Sequence, residues 1–285
     1  MKFIISKGFE GFCDRLQCLS DCLTISLKYN RVLIVDWTDR IWKEGFYRYF
    51  WFDGMPEPEA MNGEIWPQWW DGALPKPAGD WIYKLKDELK FEIDKADPYA
   101  SVWVHPGIGV RTYNFGALAR HWRLTDECKA FVLAQLGAVP DLPVVHLRGT
   151  DRKFDEERFK ALLEKVPKAV VVSDDERLVK RWMEASPDSV VMTKRFVTDT
   201  RGGHRVNEKD LPGGLTKHEM NLGLIADFMT LACAKEAHGL NEESLFYRMA
   251  VLFGKCNGPK QMGLTGGITR GPVSVTGRLD TVQIP

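Results

Sequence analysis

No Cys-x-x-Cys pair occurs in the 285 residues, so the six cysteines offer no zinc-ribbon or dithiol pattern. Cys13, Cys18 and Cys22 fall on or near one predicted helix, and Cys128, Cys233 and Cys256 are scattered. Thiols buried as small apolar side chains are the expected state. Net charge is missing too: 39 Lys and Arg balance 39 Asp and Glu. That excludes a global field drawing the chain to nucleic acid or an anionic membrane and leaves only local basic patches to do so. No apolar run approaches the roughly 20 residues that cross a bilayer, and Met1–Ser6 is too short for the apolar part of a signal peptide. The first loop carries Gly8 and Gly11 without Gly-x-Gly-x-x-Gly, which removes the fingerprint of nicotinamide-dependent enzymes.

What the chain does carry is an alternation of strands and helices. Its 44% hydrophobic and 27% charged content is that of a soluble globular protein, and its length suits two domains. Ile4-Ile5 predicts a short strand, and Leu16, Leu19, Leu23, Ile25 and Leu27 recur at helical spacing. Val32–Val35 has the continuous apolar character of a parallel strand covered on both faces. From Trp37 to Trp81 the composition shifts: seven of the ten tryptophans fall there, and Pro56, Pro58, Pro67, Pro75 and Pro77 divide the segment into loops. Such an insertion is either a functional surface whose rings stack on sugars or bases, with Trp69-Trp70 as the first pair to test, or a satellite core closing one end of a sheet.

Ser101–His105 predicts a further strand, followed by helices over 114–122 and 125–136. The one-Gly, two-Pro stretch Gly137–Pro143 marks the expected domain boundary. Beyond it, strands are predicted at 143–147, 169–173 and 189–192, alternating with helices at 155–165 and 175–185. A Gly-rich polar segment, Thr198–Leu215, is expected to be a mobile loop, and helices are predicted over 219–234 and 243–253. This is the pattern of an α/β protein with two Rossmann-like, doubly wound domains, 1–140 and 141–285, facing a central cleft.

The run His146-Leu147-Arg148-Gly149-Thr150-Asp151-Arg152 is the most informative stretch. It closes the apolar strand Val144–Leu147 and precedes an acidic helix start, Asp155-Glu156-Glu157. Basic and hydroxyl side chains between a strand and a helix stand where open α/β sheets bind phosphate. Arg148 would present a planar, permanently charged fork to a diphosphate. The alternative is a surface ion pair of Arg148 and Arg152 with Asp151.

His-x-Arg-x-Thr-Asp-Arg after a strand resembles the first motif of the α1,6-fucosyltransferases, a group that includes rhizobial nodulation fucosyltransferases; protein O-fucosyltransferases carry a looser version. Val170-Val171-Val172-Ser173-Asp174-Asp175 is similar to their second motif. Asp227-Phe228-Met229 through Glu243-Ser244-Leu245-Phe246 is similar to the third. Gly8, Gly11, Arg15-Leu16 and Val32–Trp37 resemble the family's opening strand–helix–strand unit. The resemblance implies a GT-B-like arrangement, with an acceptor-side N-terminal domain carrying the 37–81 insertion and a nucleotide-sugar donor domain after it. Animal members of such a family sit behind a membrane anchor. The absence of one here makes a cytoplasmic bacterial or phage protein the expectation.

Carried over by motif, Arg148 faces the β-phosphate of a GDP-sugar, and Glu156 is the base that activates the acceptor hydroxyl. First-turn acids are also favoured by the helix dipole alone. His146, Thr150, Asp151, Arg152, Ser173, Asp174, Asp175 and Ser244 line the donor, joined by Gly8, Gly11 and Arg15 from the other domain. Within this set, Asp174 or Asp175 would bind guanine or ribose, although a helix N-cap is the plain alternative. Ser244 would bind phosphate or merely cap its helix. His146 has packing at the strand end as its alternative, and Trp69 and Trp70 are the acceptor-side candidates. No Asp-x-Asp triplet stands at a strand end, which agrees with the family's lack of a metal; no cofactor is expected beyond the GDP-sugar, with GDP-fucose favoured. The acceptor is expected to be a glycan or lipo-oligosaccharide hydroxyl. The alternatives are a hydroxymethylated base in phage DNA and a non-catalytic nucleotide- or carbohydrate-binding module.

Overall fold

The computed structural model describes residues 2–8, 11–37, 42–52, 115–149, 154–192, 206 and 208–264, with the backbone alone of 65–66 and 102–105. The chain divides into two compact units, Met1–Thr125 and Asp126–Pro285. Among the described residues no helix is long and apolar enough to cross a membrane.

In the first unit, β1 (Phe3–Ser6), β2 (Val32–Val35), β4 (Ile65–Trp66) and β5 (Val102–His105) form a sheet in the order β2-β1-β5-β4. Its pairings are all parallel. Helix α1 (Phe12–Tyr29) joins β1 to β2. Its Leu16, Leu19, Leu23 and Ile25 are buried as the spacing predicts, and Cys13, Cys18 and Cys22 are free thiols buried beside them. Asn30 ends the helix in the left-handed conformation at φ 50°, its N–H closing on the Ser26 carbonyl; Asn tolerates that region better than other side chains that carry a Cβ.

The described start of the tryptophan-rich segment is core. Strand β3 (Phe50–Phe52) pairs antiparallel with β6 (Trp122–Leu124), which follows α2 (Phe115–His121). The helix expected to run to 122 therefore gives way to a strand at Trp122. Phe12, Trp37, Trp42, Phe46, Phe50 and Trp122 enclose one another, with centroids 5.7 Å apart for Phe12–Trp42 and 4.9 Å for Phe50–Trp122. Trp51 on β3 is 44% exposed, as alternation along a strand requires. Trp69 and Trp70 lie outside the described residues.

The second unit is built on a parallel sheet of β7 (Val144–Leu147), β8 (Val170–Ser173), β9 (Val190–Val191) and β10 (Ala237–Gly239) in the order β10-β7-β8-β9. Helix α3 (Asp126–Gly137), which the expected boundary placed with the first half, packs against α6 (Lys217–Cys233) of this unit. Helices α4 (Glu156–Lys165) and α5 (Glu176–Ala185) follow β7 and β8. They contribute Phe159, Leu162, Leu178 and Trp182 to a core with Val145, Leu147 and Val171. Within the segment expected to be a mobile loop, Glu208–Asp210 and Pro212–Gly214 form 3-10 turns. Val206, Leu211 and Leu215 pack there against Met220. Thr216 then caps α6 reciprocally with Glu219, a capping box that satisfies two helix-end donors.

Helices α6 and α7 (Leu245–Lys255) cross closely, followed by the short α8 (Gly258–Gln261). At the crossing, a side chain on Gly254 would fall on the main-chain carbonyl of Ala232. Backbone cannot rotate aside as a side chain can. Gly254→Ala should therefore lower stability by about 1–3 kcal/mol in urea unfolding, although Ala is the better helix former. A more stable variant would mean that the crossing relaxes freely.

Candidate functional site

The described residues singled out in the second unit lie at, or in the segments after, the C-terminal ends of its strands. Chain order runs β7, β8, β9 to one side and then returns to place β10 on the other side of β7. The segments after β7 and β10 thus leave the sheet beside each other where strand order reverses, the position at which open α/β sheets bind ligands.

The β7 and β8 ends are laced together. Leu147 pairs with Ser173, and the Ser173 hydroxyl donates to the Leu147 carbonyl at 2.7 Å while accepting the Asp175 N–H at 3.0 Å. Ser173 is buried and spends both hydrogen-bonding capacities on the protein. The two carboxylates that follow do different work. Asp174 accepts the Gly149 N–H at 3.0 Å and stands 3.9 Å from the Arg148 guanidinium. Asp175 caps α5 through the Arg177 N–H at 2.9 Å and pairs with the Arg177 guanidinium at 2.7 Å. Burial would raise the Asp175 pKa, but the hydrogen bonds and charge of Arg177 outweigh it and hold the carboxyl below its usual value of 3.8.

Gly149 belongs to this arrangement, and the motif reading passed over it. A Cβ there would lie 2.5 Å from Leu178 Cδ1 and 2.6 Å from Asp175 Oδ2. Glycine is what lets the β7 loop lie against the start of α5. The signal for it, a Gly between two polar site residues, was present in sequence.

On the β10 side, His146 is buried against Phe246, with centroids 5.5 Å apart at 24°, so the β7 end packs beneath α7. Asn241, just past β10, donates its amide to the Arg148 carbonyl at 3.2 Å and accepts the Ser244 N–H at 2.9 Å. Nothing in sequence marked Asn241, because its partner is 93 residues away. Ser244 occupies the N-cap of α7 but makes no side-chain capping bond; its hydroxyl is buried without a hydrogen-bond partner. Helix geometry leaves the N–H groups of the first turn of α7 without intrahelical acceptors.

The start of α4 lies nearby, linked through Arg158, which reaches Glu243 at 3.3 Å. Asp155 caps α4 by accepting the Arg158 N–H. The Glu156 carboxylate is held by Arg181 of α5 and stands 3.6 Å from Lys160. His218 sits in the first turn of α6 and is 3.3 Å from Glu127. Thr150, Asp151 and Arg152 lie outside the described residues.

In the first unit, Gly8 packs against α1, where an added Cβ would lie 2.9 Å from Arg15 Cα. Gly11 is the N-cap of α1, and its carbonyl accepts the Arg15 N–H at 3.1 Å. Arg15 is fully buried, donating to the Gly8 and Trp37 carbonyls at 3.0 and 3.1 Å with its guanidinium against Trp37 and Trp42. Lys7 and Asp36 form a buried ion pair at the ends of β1 and β2.

No protein-family model and no curated protein matches the chain. Solved structures do. A structure of NodZ alpha-1,6-fucosyltransferase soaked with GDP-fucose is similar with a TM-score of 0.60 at 17% identity, over 88% of this chain and 92% of that one. The fucosyltransferase NodZ from Bradyrhizobium gives a TM-score of 0.60 at 18% identity over the same shares. NodZ co-crystallized with GDP does likewise, at 0.60 and 18%. The chain has the fold of these fucosyltransferases, the group that its sequence motifs resemble.

Two substitutions probe the edge without any ligand. Gly149→Ala must displace Asp175 or Leu178, and a loss of about 1–3 kcal/mol in chemical unfolding is expected; an unchanged midpoint would show that the loop yields at no cost. Asp175→Asn keeps a capping oxygen but removes the charge. Because the folded-state pKa of Asp175 is depressed, its charge contributes stability above about pH 4 that drains away as pH falls through the folded value. Stability of the Asn variant should approach that of the wild type on acidification, and a constant gap from pH 7 to 2 would contradict it.

Proposed function

We propose that this chain is a metal-independent, inverting glycosyltransferase that takes its sugar from a GDP-sugar, GDP-fucose first, and passes it to a hydroxyl of a glycan or lipo-oligosaccharide. The observation that carries the reading is Ser244. A buried hydroxyl without a partner costs about 1–3 kcal/mol, and this one stands at a helix N-terminus beside the segment bearing Arg148. A diphosphate would accept the hydroxyl proton and the free N–H groups of the helix, and would bring charge suited to the helix dipole. The shared fold supports the same reading, since the structures it matches include one soaked with GDP-fucose and one co-crystallized with GDP.

Transfer breaks the bond between the anomeric carbon and the β-phosphate oxygen while the acceptor oxygen attacks from the opposite face. Negative charge gathers on the departing GDP, and the acceptor loses a proton. Arg148 supplies fixed positive charge where the diphosphate becomes more anionic. Of the two carboxylates after β8, Asp174, whose side chain is partly exposed, is the proposed donor-side partner of nucleoside or sugar hydroxyls, while Asp175 holds the start of α5. Glu156 is the proposed base. With Arg181 and Lys160 on its carboxylate, it must exchange at least one of them for the acceptor hydroxyl.

GDP should raise the melting temperature more than UDP, CMP or NAD, with no change on adding EDTA, because ligand binding stabilises by mass action. Equal shifts, or a shift with UDP and magnesium alone, would sink the donor assignment. Ser244→Ala should leave the ligand-free protein as stable as the wild type or more so, since no protein hydrogen bond is lost, and should shrink the GDP shift; an unaltered shift would remove Ser244 from the site. Arg148→Lys keeps charge but not the planar fork and should cut turnover about a hundredfold to a thousandfold with a smaller effect on GDP affinity. Near-normal transfer by a folded Arg148→Lys protein would make the motif structural.

A further inference from the structure

Resting on this nucleotide-sugar reading, we propose that Asn241 and Asp174 are positioning residues that clamp the single peptide unit between Arg148 and Gly149 and so aim the Arg148 side chain. A trans peptide is planar, with its C=O and N–H pointing in opposite directions. Here the Arg148 carbonyl accepts the Asn241 amide at 3.2 Å, and the Gly149 N–H of the same peptide donates to Asp174 Oδ1 at 3.0 Å. Rotation of the peptide plane breaks both bonds at once. The two holders follow different strands, Asp174 after β8 and Asn241 after β10. The peptide is therefore fixed relative to both neighbours of β7.

Two further features tighten the arrangement. Gly149 lies against Asp175 and Leu178 too closely for any Cβ, so the loop cannot retreat toward α5. The other oxygen of Asp174 stands 3.9 Å from the Arg148 guanidinium, so one carboxylate faces both the Gly149 N–H and the side chain of the preceding residue. The main-chain carbonyl of Asn241 accepts the Ser244 N–H, so the residue also ties the turn bearing the unpartnered hydroxyl to the loop bearing the cation. Charge stabilisation by a fixed group is effective because it needs no reorganisation during reaction, and a supporting shell of this kind supplies the fixing.

The test is a double-mutant cycle in the full chain, with release of GDP from GDP-fucose, water serving as acceptor, as one readout and the GDP-induced melting shift as the other. Asn241→Ala in the wild-type background should slow GDP release about fivefold to tenfold, the worth of one such hydrogen bond. In an Arg148→Ala background it should change both readouts by less than about twofold, because a residue acting through Arg148 has nothing left to position. Equal factors in the two backgrounds would show Asn241 acting on its own and overturn the proposal. Amide hydrogen exchange gives an arm independent of any ligand. The Gly149 N–H should exchange slowly in the wild type and in Asp174→Asn, which keeps the acceptor, and quickly in Asp174→Ala and Asn241→Ala. A Gly149 amide that exchanges freely in the wild type overturns the clamp whatever the activity. A wild type that neither turns over GDP-fucose nor is stabilised by GDP overturns the donor reading, and the catalytic purpose of the clamp with it, while the exchange result separately decides whether the clamp exists.

Discussion

Strands β8 and β10 hydrogen-bond to opposite sides of β7, both parallel to it, and the organisation of the second unit depends on that pairing. Parallel strands end at a common edge, so whatever follows each of them emerges on the same side of the sheet. Arg148 after β7, Asp174 after β8 and Asn241 after β10 are neighbours for that reason alone, although 93 residues separate Asn241 from Arg148. Had β10 run antiparallel, Asn241 and Ser244 would have left from the far edge.

Buried polar groups at that edge fall into two kinds. Ser173 and Asp175 are consumed by the fold: the hydroxyl joins β7 to the β8 turn, and the carboxylate holds the start of α5. Both matched family motif positions, yet their geometry is spent on structure. Ser244 is the opposite case, buried at the N-cap of α7 with a hydroxyl that bonds to nothing in the protein. Folded proteins satisfy nearly all such groups. Ser244 occupies the N-cap without making the side-chain bond by which a Ser caps a helix.

Among the described residues of the first unit, the conspicuous side chains are mostly turned inward. Arg15 donates to main-chain carbonyls after β1 and after β2, joining the two loops by charge-assisted hydrogen bonds. Lys7 and Asp36 neutralise each other in the interior, where an unpaired charge would be costly. Trp37 and Trp42 close an aromatic cluster with Phe12, Phe46, Phe50 and Trp122. Of the two roles open to the tryptophan-rich segment, its described part takes the satellite core, while exposed Trp51 shows that membership is settled ring by ring.

Local chemistry was enough to read much of this protein. Continuous apolar runs identified β2, β7 and β8 as buried parallel strands, leucine spacing identified α1, and the polar run after β7 marked the strand ends where the candidate site is drawn. Strand β10 was not legible, because three residues, Ala-His-Gly, carry no periodicity and become a strand only by pairing with β7. Nor was the partition of labour among adjacent polar residues. Whether Ser173 or Ser244 retains a free hydroxyl, and whether Asp174 or Asp175 faces the loop, depends on which groups the fold brings within about 3 Å. Those distances are set by strand order and helix packing across a hundred residues of chain, and no local pattern encodes them.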